Sequence, residues 1–183
     1  AIEKESVTCD RRDAPFSHLT HQKLVRDYMN IYSPYRGILL YHGLGSGKTC
    51  SSIAIAEGMK SAKNVVVMTP ASLNMNYMEE LKKCGDNIYR KNQHWEFIDT
   101  RTKPEYVESL SYMLSLPIAH IKAEGGAWLL DVSKPANYES LGSEQKQSLD
   151  KQLNAMIKSK YTFYNYNGMR LNHLEEMTKK FTV

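Results

Sequence analysis

The nonapeptide Tyr41-His42-Gly43-Leu44-Gly45-Ser46-Gly47-Lys48-Thr49 lies between two stretches of contrasting character. An apolar run, Ile38-Leu39-Leu40, precedes it, and a run with the composition of a helix, Cys50 to Met59, follows it. Closely spaced glycines let a backbone turn tightly and direct its N–H groups inward. A helix that starts near Lys48 adds free N–H groups and the positive end of its dipole. Strand, glycine-rich loop, Gly-Lys-Thr and helix together indicate a loop that binds the phosphates of a nucleotide.

Two side chains of this loop carry the chemistry expected of ATP binding. The Lys48 ammonium can reach the outer phosphates, and the Thr49 hydroxyl can ligate Mg2+. The strict pattern G-x-x-x-x-G-K-[ST] fails at one position, where His42 replaces the first glycine, but the segment from Gly45 to Thr49 is intact. The alternative, a glycine-rich turn that binds nothing, needs neither Lys nor Thr after its last glycine. We predict Lys48 as the catalytic residue, Thr49 as the metal ligand, and a nucleotide-binding set formed by His42, Gly43, Leu44, Gly45, Ser46, Gly47, Lys48 and Thr49.

Length and composition are those of one ordinary α/β domain. The chain has 183 residues, of which 42% are hydrophobic and 24% are charged. Its net charge of +4 permits contact with an anionic partner without requiring it. No apolar run is long enough to span a bilayer, and the N-terminus is polar rather than signal-like. We therefore expect no membrane association and no secretion.

The three cysteines give little indication of a site. Cys9, Cys50 and Cys84 are far apart in the sequence and form neither a C-x-x-C pair nor a Cys/His ligand pattern. We expect neither a zinc site nor a disulfide framework, and the count fits a reducing compartment.

Hydrophobic periodicity predicts strands and helices that alternate along most of the chain. Residues 1–16 are polar and form an N-terminal arm, and residues 17–183 form the folded domain. The alternation predicts a parallel sheet flanked by helices, with right-handed crossovers. The predicted strands are 37–41, 65–68, 95–98, 127–131 and 161–166, and the predicted helices are 20–32, 50–63, 77–83, 104–116, 143–159 and one from 172.

Two further features suit a nucleotide- and nucleic-acid-binding domain. Gln22 lies 26 residues ahead of Lys48, and its amide can read an adenine edge with a donor and an acceptor. A surface glutamine on an amphipathic helix is the other interpretation. Ligands bind outside the carboxyl ends of parallel strands. The exit of strand 65–68 can therefore hold a phosphodiester backbone, or can simply cap the next helix. The residues at this exit are Thr69, Pro70 and Ser72.

Histidines and aromatic residues elsewhere are weaker evidence for a metal site or for base stacking. His18 and His21 are three residues apart, but no third ligand completes a metal site, so we interpret them as surface residues. The aromatic residues of segment 161–166 can stack on bases. A strand packed into the core explains them more simply.

The order of these motifs resembles the first motor domain of a superfamily II helicase. It is most similar to the branch found in nucleocytoplasmic large DNA viruses, which includes poxvirus nucleoside triphosphatase I and the small subunit of the poxvirus early transcription factor. Residues 125–131 and 161–168 are similar to an insertion of giant-virus members. The resemblance covers most of residues 17–170. It rests on Leu19-Thr20-His21-Gln22, Gly37 to Thr49, and Val67 to Leu73 with Glu80-Leu81-Lys82-Lys83.

The resemblance implies a RecA-like P-loop NTPase domain that couples ATP hydrolysis to movement along nucleic acid. Lys48 and Thr49 then bind ATP and Mg2+, Gln22 contacts adenine, and the exit of strand 65–68 contacts the nucleic-acid backbone. Binding of this kind is salt-sensitive and largely independent of sequence. The implied partners are nucleic acid, with DNA favoured over RNA, and the viral transcription machinery. The implied location is the host cytoplasm or the virion.

The sequence departs from that family in its hydrolytic motif. The family has an Asp-Glu pair after an apolar strand, whereas here Val132 follows Asp131 and Thr100 follows Asp99. Both aspartates are better explained as the start of a turn. We therefore expect the N-terminal part of a longer helicase, incomplete as a RecA-like domain, inactive on its own, and with an insertion at about 100–160.

Two rival functions remain open at this stage. A P-loop phosphotransferase needs a lid rich in arginine, and arginine is sparse after Arg101. A non-enzymatic nucleotide-binding scaffold needs only a vestigial loop.

Overall fold

A computed structural model of the chain describes residues 17–181, so the N-terminal arm expected at 1–16 lies outside the described residues. The described part contains helices and strands in alternation. The helices are α1 (Thr20–Tyr28), α2 (Lys48–Met59), α3 (Asn74–Cys84), α4 (Tyr106–Leu114), α5 (Ile118–Glu124), α6 (Ser143–Lys160) and α7 (Leu171–Phe181). The strands are β1 (Val65–Thr69), β2 (Trp95–Asp99), β3 (Gly126–Leu130) and β4 (Tyr161–Asn165).

Strands β1 and β4 form a two-stranded parallel pair. Val65 pairs with Tyr161 and Thr69 pairs with Asn165, so the two strands end at the same edge. The chain passes from α2 directly into β1, and α2 in turn packs against α1 and α3. This part confirms the predicted strands 65–68 and 161–166 and the parallel α/β pairing.

Strands β2 and β3 form a separate antiparallel pair, in which Trp95 lies opposite Leu130 and Asp99 lies opposite Gly126. Gly125 ends α5 with a φ of 73°, a left-handed conformation that lets the chain enter β3 directly beside β2. Strands 95–98 and 127–131 are thus confirmed, but they pair with each other instead of extending the parallel sheet. The sequence prediction did not include α5, because only one of its seven residues, Ile121, is buried.

The hydrophobic core lies between α3, α6 and the two strand pairs. The Gln152 side chain on α6 binds the backbone of Trp128 on β3, since its Oε1 accepts from the Trp128 N–H at 2.7 Å and its Nε2 donates to the Trp128 carbonyl at 2.8 Å. Tyr161 is buried and Phe163 packs against the core, so the core interpretation of that aromatic strand is confirmed for these two residues.

A charged network joins α3 to α6 beside this core. The Lys82 side chain is fully buried, and its ammonium lies 2.7 Å from both Glu79 and Asp150. Lys91 contacts the same two carboxylates at 2.9 Å. Burial alone would raise the pKa of Asp150, but hydrogen bonds from Lys82 and Lys91 hold this pKa below its ordinary value.

The predicted strand at 37–41 is wrong. The segment forms no regular secondary structure and pairs with no strand among residues 17–181. Leu39 is 86% exposed and Tyr41 is 93% exposed. An apolar run becomes a buried strand only where neighbouring strands accept its backbone and helices cover its faces. The described strands pair among themselves and offer it neither.

None of the described helices combines the length and the apolar character that crossing a bilayer requires.

Candidate nucleotide-binding site

The loop before α2 takes its shape from two glycines in the left-handed region. Gly45 and Gly47 both have a φ of 77°, a conformation that residues with a Cβ rarely adopt. Gly47 is also the N-cap of α2. A Cβ at position 47 would lie 2.5 Å from Nε2 of Gln22, so any other residue there would have to displace this amide and also adopt a left-handed conformation.

The loop presents several backbone donors that have no acceptor. The N–H of Ser46 donates to the Gly43 carbonyl at 3.4 Å. Within residues 17–181, the N–H groups of Gly45, Gly47, Lys48 and Thr49 donate to no acceptor. Adjacent free N–H groups at the start of a helix form a binding site for an anion, strengthened by the helix dipole.

The Lys48 side chain folds back over this loop. Its ammonium donates to the carbonyls of His42 at 2.9 Å and Gly43 at 2.7 Å. Both acceptors are neutral, and phosphate oxygens are stronger acceptors for an ammonium group. The ammonium is therefore held by the first residues of the loop that carries the free N–H groups.

The donor set fits ATP with Mg2+. Neutral N–H groups and one ammonium suit the charge of a triphosphate. The Thr49 hydroxyl forms no hydrogen bond within the described part of the chain, and a hydroxyl oxygen is a ligand that Mg2+ accepts. The cation would supply charge neutralisation between the outer phosphates.

Gln22 supports the loop from α1. The residue is 4% exposed. Its Oε1 accepts from the Leu19 N–H at 3.0 Å, and its Nε2 donates to the Gly47 carbonyl at 3.3 Å. The interpretation of Gln22 as a surface glutamine is therefore wrong, because tertiary contact with the loop buries its amide. A contact with adenine is not tested by this geometry and remains a proposal.

The two neighbouring histidines are half-buried, whereas the sequence interpretation placed them at the surface. His21 is half-buried, its Nε2 donates to the Ser46 carbonyl at 3.0 Å, and its ring packs edge-on against His42 at 5.6 Å. His18 is half-buried too, and burial lowers the pKa of its imidazole. The sequence argument considered these histidines only as metal ligands, and the structure uses His21 as a donor to the loop.

The exit of β1 lies beside the exit of β4. The Thr69 hydroxyl bonds to Oδ1 of Asn74, and Nδ2 of Asn74 donates to Oδ1 of Asn165 at 2.5 Å. Ser72 is exposed at the turn before α3. Sequence reasoning missed Asn74 and Asn165 as members of this edge. Only the pairing of β1 with β4, which periodicity does not reveal, brings Asn165 there.

Asp99 and Asp131 begin turns, which confirms their interpretation from sequence. Asp99 accepts from the Arg101 N–H at 2.8 Å. Asp131 accepts from the Ser133 hydroxyl at 2.6 Å and from its N–H at 2.9 Å. These hydrogen bonds lower the pKa of Asp131 to about 2.

Cys50 and Cys84 form a disulfide bond, so the expectation of no disulfide is wrong. The Cα atoms are 5.8 Å apart although 34 positions separate the residues in the sequence. One cysteine lies on α2 and the other at the end of α3, and sequence spacing does not report the packing of these two helices. Glu80 adds a carboxylate oxygen 3.7 Å from the Cys50 sulfur. The sulfur–sulfur bond leaves neither thiolate free to ligate a metal.

Comparison with known proteins identifies relatives of this chain in large DNA viruses. The chain is 42% identical over 69 residues to an Acanthamoeba polyphaga mimivirus protein named "Putative ATP-dependent RNA helicase". A second mimivirus protein with that designation is 34% identical over 124 residues, which is 64% of this chain. The "Termination factor NPH-I homolog" of African swine fever virus is 38% identical over 54 residues, which is 30% of this chain. The homologues of this chain are thus viral proteins, most of them named as putative helicases.

The chain spans only a small part of these relatives, namely 12% and 15% of the two mimivirus proteins and 8% of the African swine fever virus protein. The first mimivirus match covers 37% of this chain. No protein-family model matches the chain. No solved structure matches it either. The helicase relatives imply a P-loop NTPase fold, and the small parallel sheet with its helices is consistent with that fold.

Proposed function

We propose that this chain is the ATP-binding portion of a nucleic-acid-dependent ATPase or helicase of superfamily II that acts in viral transcription or DNA metabolism. The observation that supports it most is the loop before α2, which combines free N–H groups at Gly45, Gly47, Lys48 and Thr49 with a Lys48 ammonium bonded to the loop carbonyls. The names of the viral relatives point to the same activity.

Each residue of the site has a distinct role in this proposal. The backbone from His42 to Thr49 surrounds the triphosphate. Lys48 exchanges the two loop carbonyls for phosphate oxygens and neutralises charge as the terminal phosphate is transferred to water. Thr49 ligates Mg2+. Gln22 contacts adenine. For this role its amide either gives up a hydrogen bond to the backbone of Leu19 or Gly47, or uses the second N–H of its Nε2.

The chain binds ATP–Mg2+ but hydrolyses it poorly in this proposal. Hydrolysis needs a carboxylate that orients the attacking water, and no Asp-Glu pair occurs among the 183 residues. The turn roles of Asp99 and Asp131 leave neither carboxylate as a substitute for that pair.

A nucleic-acid backbone contacts the shared edge of β1 and β4 in this proposal. Thr69, Pro70 and Ser72 lie at that edge, and the asparagine pair behind Thr69 orients its hydroxyl. Backbone contacts of this type do not distinguish sequences. DNA is the favoured partner, with RNA as the alternative.

Nucleotide affinity tests the central part of this proposal. We expect wild-type protein to bind a fluorescent ATP analogue with Mg2+, and we expect Lys48→Ala to weaken binding at least tenfold, because a charge-assisted hydrogen bond is lost. Lys63→Ala is the matched control. This lysine follows the other end of α2, is exposed, and forms no ion pair within residues 17–181. Unchanged binding by Lys48→Ala would contradict the assignment, and absence of binding by wild type would favour a scaffold.

A charge reversal at the β1 edge tests the nucleic-acid interface. Ser72→Asp places a carboxylate near the proposed phosphodiester contact. We expect binding of single-stranded oligonucleotides to weaken about fivefold at low salt, as for a single like-charge contact in water. The effect should fade at high salt.

An acid near the start of α3 is compatible with the helix, so loss of folding is not expected. Ser61→Asp, at another exposed serine, is the control. Equal binding by the two variants would contradict the interface.

A further inference from the structure

Two consecutive side chains of α1 bind two consecutive carbonyls of the phosphate loop. Nε2 of His21 donates to the Ser46 carbonyl at 3.0 Å, and Nε2 of Gln22 donates to the Gly47 carbonyl at 3.3 Å. Gly47 has additional support from α2, since the N–H of Ser51 donates to its carbonyl at 2.9 Å. Within the described part of the chain, the Ser46 carbonyl has His21 as its sole donor.

This carbonyl matters because of the geometry of the peptide unit. In a planar trans peptide, the carbonyl of one residue and the N–H of the next point in opposite directions. A donor that holds the Ser46 carbonyl toward α1 therefore directs the Gly47 N–H away from α1. The Gly47 N–H is one of the free donors of the loop. The φ of 77° at Gly47 permits this arrangement but does not enforce it, because glycine has access to many other conformations.

The ring of His21 is itself fixed. It packs edge-on against His42 with 5.6 Å between ring centres. The position held by His42 is the one that the strict loop pattern gives to glycine, so this contact requires a departure from that pattern. His21 is half-buried on a helix that packs against α2. A fixed donor loses little rotamer entropy when it holds the loop.

We propose that His21 is a positioning residue for the phosphate loop. Its Nε2–H holds the Ser46 carbonyl so that the Gly47 N–H faces the triphosphate. His21 itself touches no ligand. The inference rests on the proposed ATP site and adds a residue whose effect depends on the phosphates of the ligand.

Three substitutions separate the hydrogen bond from the bulk of the ring. His21→Gln keeps an N–H donor at the same number of bonds from Cα, so we expect its affinity for fluorescent ATP with Mg2+ to stay within about twofold of wild type. His21→Leu removes the donor, and His21→Asn carries an amide too short to reach Ser46. We expect both to weaken ATP binding about five- to tenfold, the range for one hydrogen bond. The control is His120→Leu, on α5, a half-buried histidine whose side chain forms no hydrogen bond within the described part of the chain.

Binding of the matching AMP analogue is a second measurement, and it separates a positioning role from general destabilisation of the protein. A positioning role predicts that His21→Leu and His21→Asn reduce the preference for ATP over AMP, while AMP affinity changes less than twofold. Equal losses for both ligands, or equal losses in the Gln and Leu variants, would overturn the inference while the ATP site stands. A wild-type protein that fails to bind ATP would overturn the proposed function and this inference together. His21→Asn stays polar, so it decides the question if His21→Leu does not fold.

Discussion

Gly47 is the residue at which backbone conformation, packing and ligand geometry depend on one another. Its φ of 77° places it in the left-handed region, and it caps α2. Its Cα faces Nε2 of Gln22, and its carbonyl accepts from Gln22 and from the N–H and hydroxyl of Ser51. The N–H on its other side has no acceptor among the described residues. The carbonyl side of this residue is thus fully used while the N–H side is available to an anion.

A methyl group at position 47 should therefore destabilise the domain. We expect Gly47→Ala to lower the free energy of unfolding by about 1–3 kcal/mol, the usual cost of a residue with a Cβ in this region, with crowding of Gln22 in addition. Urea unfolding measures this change. Gly43→Ala is the control, because a Cβ there meets nothing within 4 Å and its φ is not positive. Equal stability of the two variants would show that the loop does not need glycine at position 47.

At the scale of elements, α2 is connected to α3 by a covalent bond and by a polar contact. The disulfide joins Cys50 in the first turn of α2 to Cys84 at the end of α3. The Ser52 hydroxyl lies 3.2 Å from that of Tyr77. Burial raises the pKa of Tyr77 above its ordinary value. The helix that begins at the phosphate loop is thus fixed to the helix that follows the β1 edge.

Loss of the disulfide should lower stability substantially. The bond closes a loop of 34 residues, and a loop of this length is worth about 3–4 kcal/mol in the chain-entropy description. We expect that cost in Cys50→Ser/Cys84→Ser, and we expect reductant to lower wild type to the level of that variant. Urea unfolding with and without reductant measures both effects. Cys9→Ser, outside the described residues, should respond to reductant as wild type does. A wild type insensitive to reductant would show that the bond does not form in solution.

At the scale of the whole molecule, the sequence predicts single elements better than their arrangement. The run of valines at 65–67 and the aromatic run at 161–166 form strands, as predicted, because their residue types and lengths suit a strand wherever it pairs. Which strands pair is decided by long-range packing. That packing made an antiparallel pair of 95–99 with 126–130 and left 37–41 unpaired among the described residues.

The candidate site likewise has a part that the sequence predicts and a part that it does not. The loop from Gly43 to Thr49 could be predicted from the sequence, since a tight turn favours glycines and phosphate binding favours a lysine and a threonine directly after them. The support from His21 and the bond between Cys50 and Cys84 could not be read, because each joins segments at least 25 positions apart. No local pattern distinguishes these side chains from ordinary helix residues.

The central claim is that the backbone N–H groups of the loop bind a triphosphate. The most direct measurement is the change in backbone amide NMR shifts when ATP and Mg2+ are added to isotopically labelled protein. The account predicts the largest shifts at the free amides of Gly45, Gly47, Lys48 and Thr49, with a smaller response to AMP. The same titration with Lys48→Ala should need a much higher nucleotide concentration. If these four amides did not move while residues elsewhere shifted on addition of ATP, the account would be contradicted.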